Sequence, residues 1–160
     1  MKTARFYILK QALHSERYLF ACRLVEKAWK QNLSIYIHTD SGQQAQLIDD
    51  RLWEFNPESF IPHEQLVPDE HGAEGPPGRA DLSDKRVFSP VIIGMSDEQA
   101  ARQHRQLLVN LAAKLPDSFC QFDRVVEIAN RDDAVLNAVR RHYLELQSAQ
   151  FEIKIHDFSK

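Results

Sequence analysis

The amino-acid sequence predicts an α/β fold with a mostly parallel sheet, and two observations support this prediction. Short apolar or alternating segments recur along the chain, and longer segments with helical periodicity separate them. That alternation is typical of parallel strands joined by helices. The 160 residues suit one domain covering 1–160, because domains usually contain roughly 100–200 residues.

The first half of the chain contains two strand–helix units. Residues 6–9 form an apolar, β-rich run that predicts the first strand. From 15 to about 32, apolar residues recur every three or four positions, which predicts an amphipathic helix. Residues 33–38 alternate between apolar and polar and predict the second strand. Ser41 and Gln44 form a capping box that begins a second helix, and Pro57 ends it.

The middle of the chain changes character. Prolines and glycines cluster between about 57 and 90, which predicts a long loop, and such loops are often functional or disordered. Residues 91–93 form a continuously apolar run, the type of strand that is buried on both faces. Ser96 and Gln99 then form another capping box. Apolar positions from Ala100 through Leu107 and Leu111 to Leu115 predict a long helix that stops before Pro116.

The last third contains a strand, a helix and a final strand. Residues 124–128 predict the fourth strand, and 132 to about 149 predict a helix whose sheet-facing side carries Val135, Val139, His142 and Leu146. Alternation over 151–156 predicts a half-exposed strand at an edge. The predicted fold class is therefore a three-layer α/β/α domain with a mostly parallel, Rossmann-like sheet of about five strands.

Composition and charge restrict the function. A net charge of -3 and a pI of about 6.2 argue against a dedicated duplex-binding domain. No apolar run reaches the roughly 20 residues that span a bilayer, and the short apolar run after the N-terminus is too brief for a signal peptide. Cys22 and Cys120 lie far apart and do not suggest a disulfide framework. We therefore expect a cytoplasmic protein without membrane contact.

The sequence contains no recognisable catalytic, cofactor or metal motif. The turn after the first strand lacks the glycines that let a backbone approach a pyrophosphate. His63 and His71 share the long loop with acidic residues, but without the ligand spacing of a zinc site. We assign no catalytic residue, cofactor or metal. A small nucleotide-dependent enzyme on a degenerate Rossmann-like sheet is the alternative function.

One flank of the last helix has an unusual composition. Leu136, Arg140, Tyr143 and Gln147 share this flank, on the boundary between core and solvent. Arginine offers a planar fork of donors to a carboxylate, and Tyr and Leu offer surface to an aromatic ring. The flank therefore suits a chain end that carries an apolar side chain and a carboxylate. The alternative is that Arg140 only covers apolar surface and Tyr143 belongs to the core.

Several segments together resemble the chi subunit of the bacterial DNA polymerase III holoenzyme. The most specific part is Leu52-Trp53 followed by Pro57-Glu58-Ser59-Phe60-Ile61-Pro62-His63. Residues 4–9, 74–76, 122–128 and 140–143 also resemble the family, in the expected order, whereas 81–87 resemble it poorly. The resemblance implies a non-catalytic adaptor at the replication fork, without its own active site. It would join the psi subunit of the clamp-loader complex to the C-terminal tail of the single-stranded-DNA-binding protein.

The resemblance also implies site residues. Arg140 and Tyr143 match the tail-binding positions of the family, and Leu136 replaces a family lysine. Further arginines that could supply the missing charge are Arg124, Arg131 and Arg141. The surface toward psi would contain Trp53, Phe60, Ile61, Pro62 and His63.

Two questions stay open at this point. Trp53 and Phe60 would, in the alternative, close the local core under the long loop, and the partner could be a helicase instead of psi. We expect DNA to be contacted only indirectly, because no groove that combines aromatic and basic residues is visible in the sequence.

Overall fold

The computed structural model describes residues 2–56, 58, 60–65, 89–95 and 106–158. Seven strands, three α-helices and one short 3-10 helix lie in this part of the chain. In chain order they are β1 (Thr3–Ile8), α1 (His14–Lys30), β2 (Ile35–His38), α2 (Gly42–Glu54), β3 (His63–Gln65), β4 (Val91–Gly94), β5 (Leu107–Asn110), the 3-10 helix (Asp117–Gln121), β6 (Arg124–Ala129), α3 (Asp133–Ser148) and β7 (Glu152–Asp157).

The strands form one sheet in the order β3-β4-β2-β5-β6-β1-β7. All six pairings between neighbouring strands are parallel. This confirms the predicted α/β class, the parallel sheet and the position of the last strand at an edge. The sheet has seven strands, and about five were predicted. The two additional strands are β3, which lies in the predicted long loop, and β5, which lies in a predicted helix.

The helix predicted from residue 100 to 115 is wrong where the structure describes it. Residues 107–110 form β5, which is fully buried between β2 and β6. The Leu107-Leu108-Val109 run fits the apolar stripe of a helix and also fits a central strand that is buried on both faces. Periodicity alone does not distinguish the two, and the helix prediction was wrong. The predicted start of that helix, 96–105, lies outside the described residues.

The predicted loop from 57 to 90 also contains an element that was missed. Residues 63–65 form β3, which pairs in parallel with β4 at the edge of the sheet. Three residues are too few for an alternating pattern to be recognised. Residues 66–88 of the predicted loop lie outside the described residues.

Helices cover both faces of the sheet, which confirms the three layers. Apolar residues of α1 and α2 pack on one face against strand residues that include Ile35, Ile37 and Val109. On the other face, Val139 and Leu146 of α3 pack with alternate residues of the same strands. Because neighbouring residues in a strand point to opposite faces, each central strand contributes to both cores.

Side chains cap the first turns of α2 and α3, and the α2 cap is the predicted capping box. Ser41 accepts a 3.1 Å hydrogen bond from the Gln44 backbone N–H, and the Gln44 side chain accepts one from the Asp40 N–H at 2.7 Å. Asp132 accepts a 3.2 Å bond from the Val135 N–H. These contacts satisfy donors that the first turn of a helix leaves without partners.

Candidate functional site

A buried polar cluster fastens α3 to the sheet. The His142 ring donates from Nδ1 to the Glu127 carboxylate at 2.7 Å and from Nε2 to the Ala113 carbonyl at 2.9 Å. Asn110 donates to the other Glu127 oxygen at 2.7 Å. All three side chains, from β5, β6 and α3, are buried. Both ring nitrogens face oxygen acceptors, so the doubly protonated imidazolium satisfies both contacts.

The cluster changes the pKa of His142. Burial by itself lowers that pKa, but the hydrogen bond and the charge of Glu127, with smaller contributions from the Ala113 carbonyl and Glu145, raise it above its usual value. The protonated ring is therefore favoured in the fold. The helix predicted to carry the functional flank is held in a fixed rotation by this ion pair.

The flank of α3 with Leu136, Arg140 and Tyr143 forms a ledge at the edge of the core, which we call the α3 ledge. Leu136 and Tyr143 are half-buried against the core on this face of the sheet. The Tyr143 ring meets the edge of Phe6 with 5.7 Å between centroids. Arg140 is exposed, and its guanidinium donates a 3.4 Å bond to the Asn137 side chain. Arg140 and Tyr143 are three residues apart on α3 and therefore occupy neighbouring positions on its surface.

The other arginines predicted for this site are distributed differently. Arg141 is exposed on α3, one position around the helix from Arg140. Arg131 is exposed just before α3, and its backbone N–H donates to the Gln11 carbonyl. Arg124 begins β6 and lines a groove with Leu24 and Lys27 of α1. It therefore lies on the opposite face of the sheet from α3, and the fold does not bring it to the ledge.

A second exposed feature is an aromatic patch at the end of α2. Trp53 is 53% exposed and Phe60 is 62% exposed, with 5.3 Å between their ring centroids. The Trp53 ring also lies 4.7 Å from the His63 ring. Large aromatic side chains that are exposed next to each other are typical of protein-binding surfaces. The His63 side chain itself is only 1% exposed and lies beneath this surface. We call the exposed rings of Trp53 and Phe60, with the half-buried Pro62, the aromatic patch.

Local hydrogen bonds hold the aromatic patch in place. His63 Nδ1 lies 2.7 Å from the Ile61 carbonyl, and Nε2 lies 3.1 Å from the Asp49 carboxylate of α2. Ile61, the remaining residue predicted for this surface, is 1% exposed and packs in the core with α2. Ile61 and the buried His63 side chain anchor the segment, and Phe60 presents an exposed ring beside Trp53.

A pocket of about 230 Å³ opens at the carboxyl ends of the strands. Its lining includes Arg17, Asp40 and Asp132. Arg17 is 5% exposed and donates to the Ile128 carbonyl at 2.7 Å and to the Leu111 carbonyl at 3.4 Å. Open α/β sheets usually bind ligands at this end. Here Arg17 is occupied by backbone carbonyls, and the two carboxylates would repel a phosphate.

The described part of the chain contains neither a metal-binding group of side chains nor a membrane-spanning helix. There, no three His, Cys, Asp or Glu side chains come together as a metal-binding group. No helix among the described ranges is long and apolar enough to span a membrane.

Comparison with known proteins identifies the family. The family profile described as "DNA polymerase III chi subunit, HolC" matches residues 1–154. The DNA polymerase III subunit chi of Pseudomonas aeruginosa is 30% identical, and the match covers 98% of this chain and 96% of that protein. The subunit chi of Haemophilus influenzae is also 30% identical, over 91% of this chain and 90% of that protein.

The subunit chi of Escherichia coli K12 is more distant, with 26% identity over 96% of each chain. The matches extend through both helices that carry the α3 ledge and the aromatic patch. They confirm the resemblance expected from the Trp53 to His63 segment. The chain therefore belongs to the DNA polymerase III chi subunit family.

Proposed function

We propose that this protein is a non-catalytic adaptor of the replicative DNA polymerase. In this proposal, the α3 ledge binds the acidic C-terminal tail of the single-stranded-DNA-binding protein, and the aromatic patch binds the psi subunit of the clamp loader. The observation that carries the proposal is the pairing of Arg140 with Tyr143 on one exposed flank. Within the described residues, Arg140 has no carboxylate within 4.0 Å.

The chemistry of the α3 ledge fits a peptide that ends in an apolar residue. The guanidinium of Arg140 can donate two parallel hydrogen bonds to a terminal carboxylate. Tyr143 and Leu136 provide apolar surface one turn away on the same side, because residues three and four apart are neighbours on a helix. Arg141, the next residue along α3, adds positive charge to the same helix, which attracts an acidic segment during approach.

The expected affinity is modest. One charge-assisted hydrogen bond contributes roughly 1.5–3 kcal/mol, and ordering a flexible tail offsets part of the total. A dissociation constant on the order of micromolar follows. Replacing the family lysine with Leu136 removes one charge from the ledge, so we expect Arg140 to carry a larger share of the binding in this chain.

Fluorescence anisotropy of a labelled tail peptide tests the α3 ledge. Arg140→Ala should raise the dissociation constant about ten-fold, since the loss of roughly 1.4 kcal/mol corresponds to a factor of ten. Arg51→Ala is the matched control, because Arg51 is an exposed helical arginine on the opposite face of the sheet. Equal weakening by both substitutions would show that only the overall charge matters.

The aromatic patch supports the second half of the proposal. Trp53 and Phe60 present adjacent rings, and aromatic residues are enriched in the cores of protein interfaces. The patch lies at the end of α2, whereas the α3 ledge lies on the opposite face of the sheet. Two partners could therefore bind without overlap, as an adaptor requires.

Co-purification with the psi subunit tests the aromatic patch. Trp53→Ala and Phe60→Ala should each abolish or strongly reduce recovery of psi, because aromatic anchors carry much of the energy of an interface. Leu144→Ala is a suitable control, since Leu144 is 61% exposed and lies on α3. Circular dichroism must show intact folding for each variant. Undiminished recovery with both aromatic substitutions would contradict the assignment.

A further inference from the structure

Within the described ranges, no helix covers one corner of the sheet on the side of α1. Parallel sheets normally bury both faces under helices. Yet Arg5 in β1 and Arg124 in β6 have exposed side chains, although both strands are internal in the sheet. Lys154 of the edge strand and Lys27 of α1 are exposed in the same region. We call these four residues the basic face.

Strand register places the cations of the basic face in a row. Arg5 is aligned with Lys154, and Arg124 is aligned with Thr3, two residues before Arg5. Neighbouring strands are about 5 Å apart, and diagonal neighbours are about 7–8 Å apart. A groove of about 180 Å³ runs between this row and α1. Arg5, Lys27 and Arg124 line it together with apolar and uncharged polar residues, and no acidic residue lines it.

The basic face is a local reversal of the net charge of -3. Among the residues that the structure describes, none of its four cations has a carboxylate within 4.0 Å. On this face of β1, β6 and β7, strand alternation places one acidic residue, Glu152, which is aligned with Thr3, against the three cations Arg5, Arg124 and Lys154. The excess of positive charge is available to an external anion.

Aromatic rings continue the basic face toward the carboxyl end of β7. The His156 ring stacks on Tyr7 with 4.9 Å between centroids and 12° between planes. Phe158 lies parallel to Tyr7 at 6.4 Å, and Phe20 of α1 closes the group at 5.0 Å from Tyr7. His156 and Phe158 are exposed, whereas Tyr7 also lines the groove.

We propose that the basic face and its aromatic rings bind single-stranded nucleic acid without sequence preference. The row of cations would neutralise successive phosphates, and the exposed side of His156 or Phe158 would stack on a base. Sheet surfaces that combine cations with flat rings are suited to this ligand. An acidic peptide would satisfy the cations equally well but would give the stacked rings no planar partner.

This surface could not be recognised in the sequence, where only indirect DNA contact was expected. Its cations come from β1, α1, β6 and β7, and its rings come from β1, α1 and the end of the chain. Only the parallel pairing of β1 with both β6 and β7 brings them together. Arg124, which was expected near the tail site, belongs to the basic face.

Anisotropy of a labelled oligodeoxythymidylate of about 16 nucleotides tests the proposal at low salt, with the full-length protein. Binding should weaken linearly in a plot of log affinity against log salt concentration. Arg5→Glu and Lys154→Glu should each weaken it five-fold or more, and each should reduce the salt slope by about 0.7 or more. His156→Ala should weaken it through lost stacking. Lys114→Glu, an equal charge reversal at the carboxyl ends of the strands, should change it much less.

Several results would overturn the proposal. One is no binding at tens of micromolar protein at low salt, and another is an equal effect of Lys114→Glu and Arg5→Glu. If His156→Ala leaves the oligonucleotide affinity unchanged, the contact is with the phosphates alone and involves no base stacking on this ring. An Arg5-dependent affinity for acidic peptides alone would make the occupant a protein. Arg140→Ala should leave oligonucleotide affinity unchanged, so this test is independent of the adaptor proposal.

Discussion

The carboxylate of Glu127 and the ring of His142 form a buried hydrogen bond of 2.7 Å between β6 and α3. Asn110 holds the second carboxylate oxygen, and the Ala113 carbonyl accepts from the far side of the ring. A buried ion pair of this kind specifies one orientation of the helix, because any rotation would leave charges without partners. The position of the α3 ledge is therefore fixed by this contact.

The Glu127–His142 pair should make stability depend on pH. The pKa of His142 is raised in the fold above its ordinary value of 6.5. Its contribution is therefore fully present below about pH 6.5 and is lost as pH rises through the folded-state pKa. Urea unfolding across this range should show a falling free energy of unfolding that His142→Leu removes.

The same variant should also be destabilised, by about 3 kcal/mol, because Glu127 would keep a buried charge without its partner. His156→Ala is the control, since that histidine is exposed. A pH profile of His142→Leu that matches the wild-type profile would contradict the role of the pair.

Arg17 should stabilise the fold through its fork of donors. It lies in α1 and reaches the carbonyl of Ile128 within β6 and the carbonyl of Leu111, which follows β5. Burial lowers its pKa, and Glu127, Tyr18, Asp40 and Asp132 oppose that effect. Arg17→Met should cost about 2–3 kcal/mol in urea unfolding, because buried carbonyls lose their donors.

Arg17→Lys should not restore this stability, since a single ammonium group lacks the planar fork. Arg23→Met, at an exposed position of the same helix, should change the free energy of unfolding by no more than about 0.5 kcal/mol. Full stability of the lysine variant would show that only the charge is needed.

The two cysteines should react differently with a maleimide. Burial raises the pKa of Cys22 to about 12, although the charge of Arg51 opposes the shift, so almost no thiolate forms near neutral pH. Cys120 is exposed. Mass spectrometry should find one maleimide adduct on the folded wild-type protein and none on folded Cys120→Ser. After unfolding in urea, the wild-type protein should carry two adducts. Rapid labelling of folded Cys120→Ser would contradict the buried position of Cys22.

Local patterns predicted most of the fold. The apolar stripes of α1 and α3, the capping box of Ser41 and Gln44, and the final edge strand depend on residues that are close in sequence, so local patterns predict them. The Leu107–Asn110 strand was mistaken for helix because its short apolar run fits both periods. Its burial between β2 and β6 is a property of the sheet order, which no local pattern contains.

The candidate sites show the same division. Helical spacing was sufficient to place Arg140 beside Tyr143, because both lie on one element. Arg124 was grouped with them by proximity in sequence, but its face of the sheet depends on strand register and on which helix packs there. The buried contacts of Glu127 and Asn110 join different strands and were not predicted.

Simultaneous binding of both partners tests the central claim most directly. The single-stranded-DNA-binding protein can be immobilised and incubated with this protein and psi together. We predict that psi is retained only when this protein is present. Arg140→Ala should release this protein and psi together from the immobilised partner. Phe60→Ala should release psi and leave this protein bound. Partners that displace each other, or retention of psi that survives both substitutions, would contradict the adaptor function.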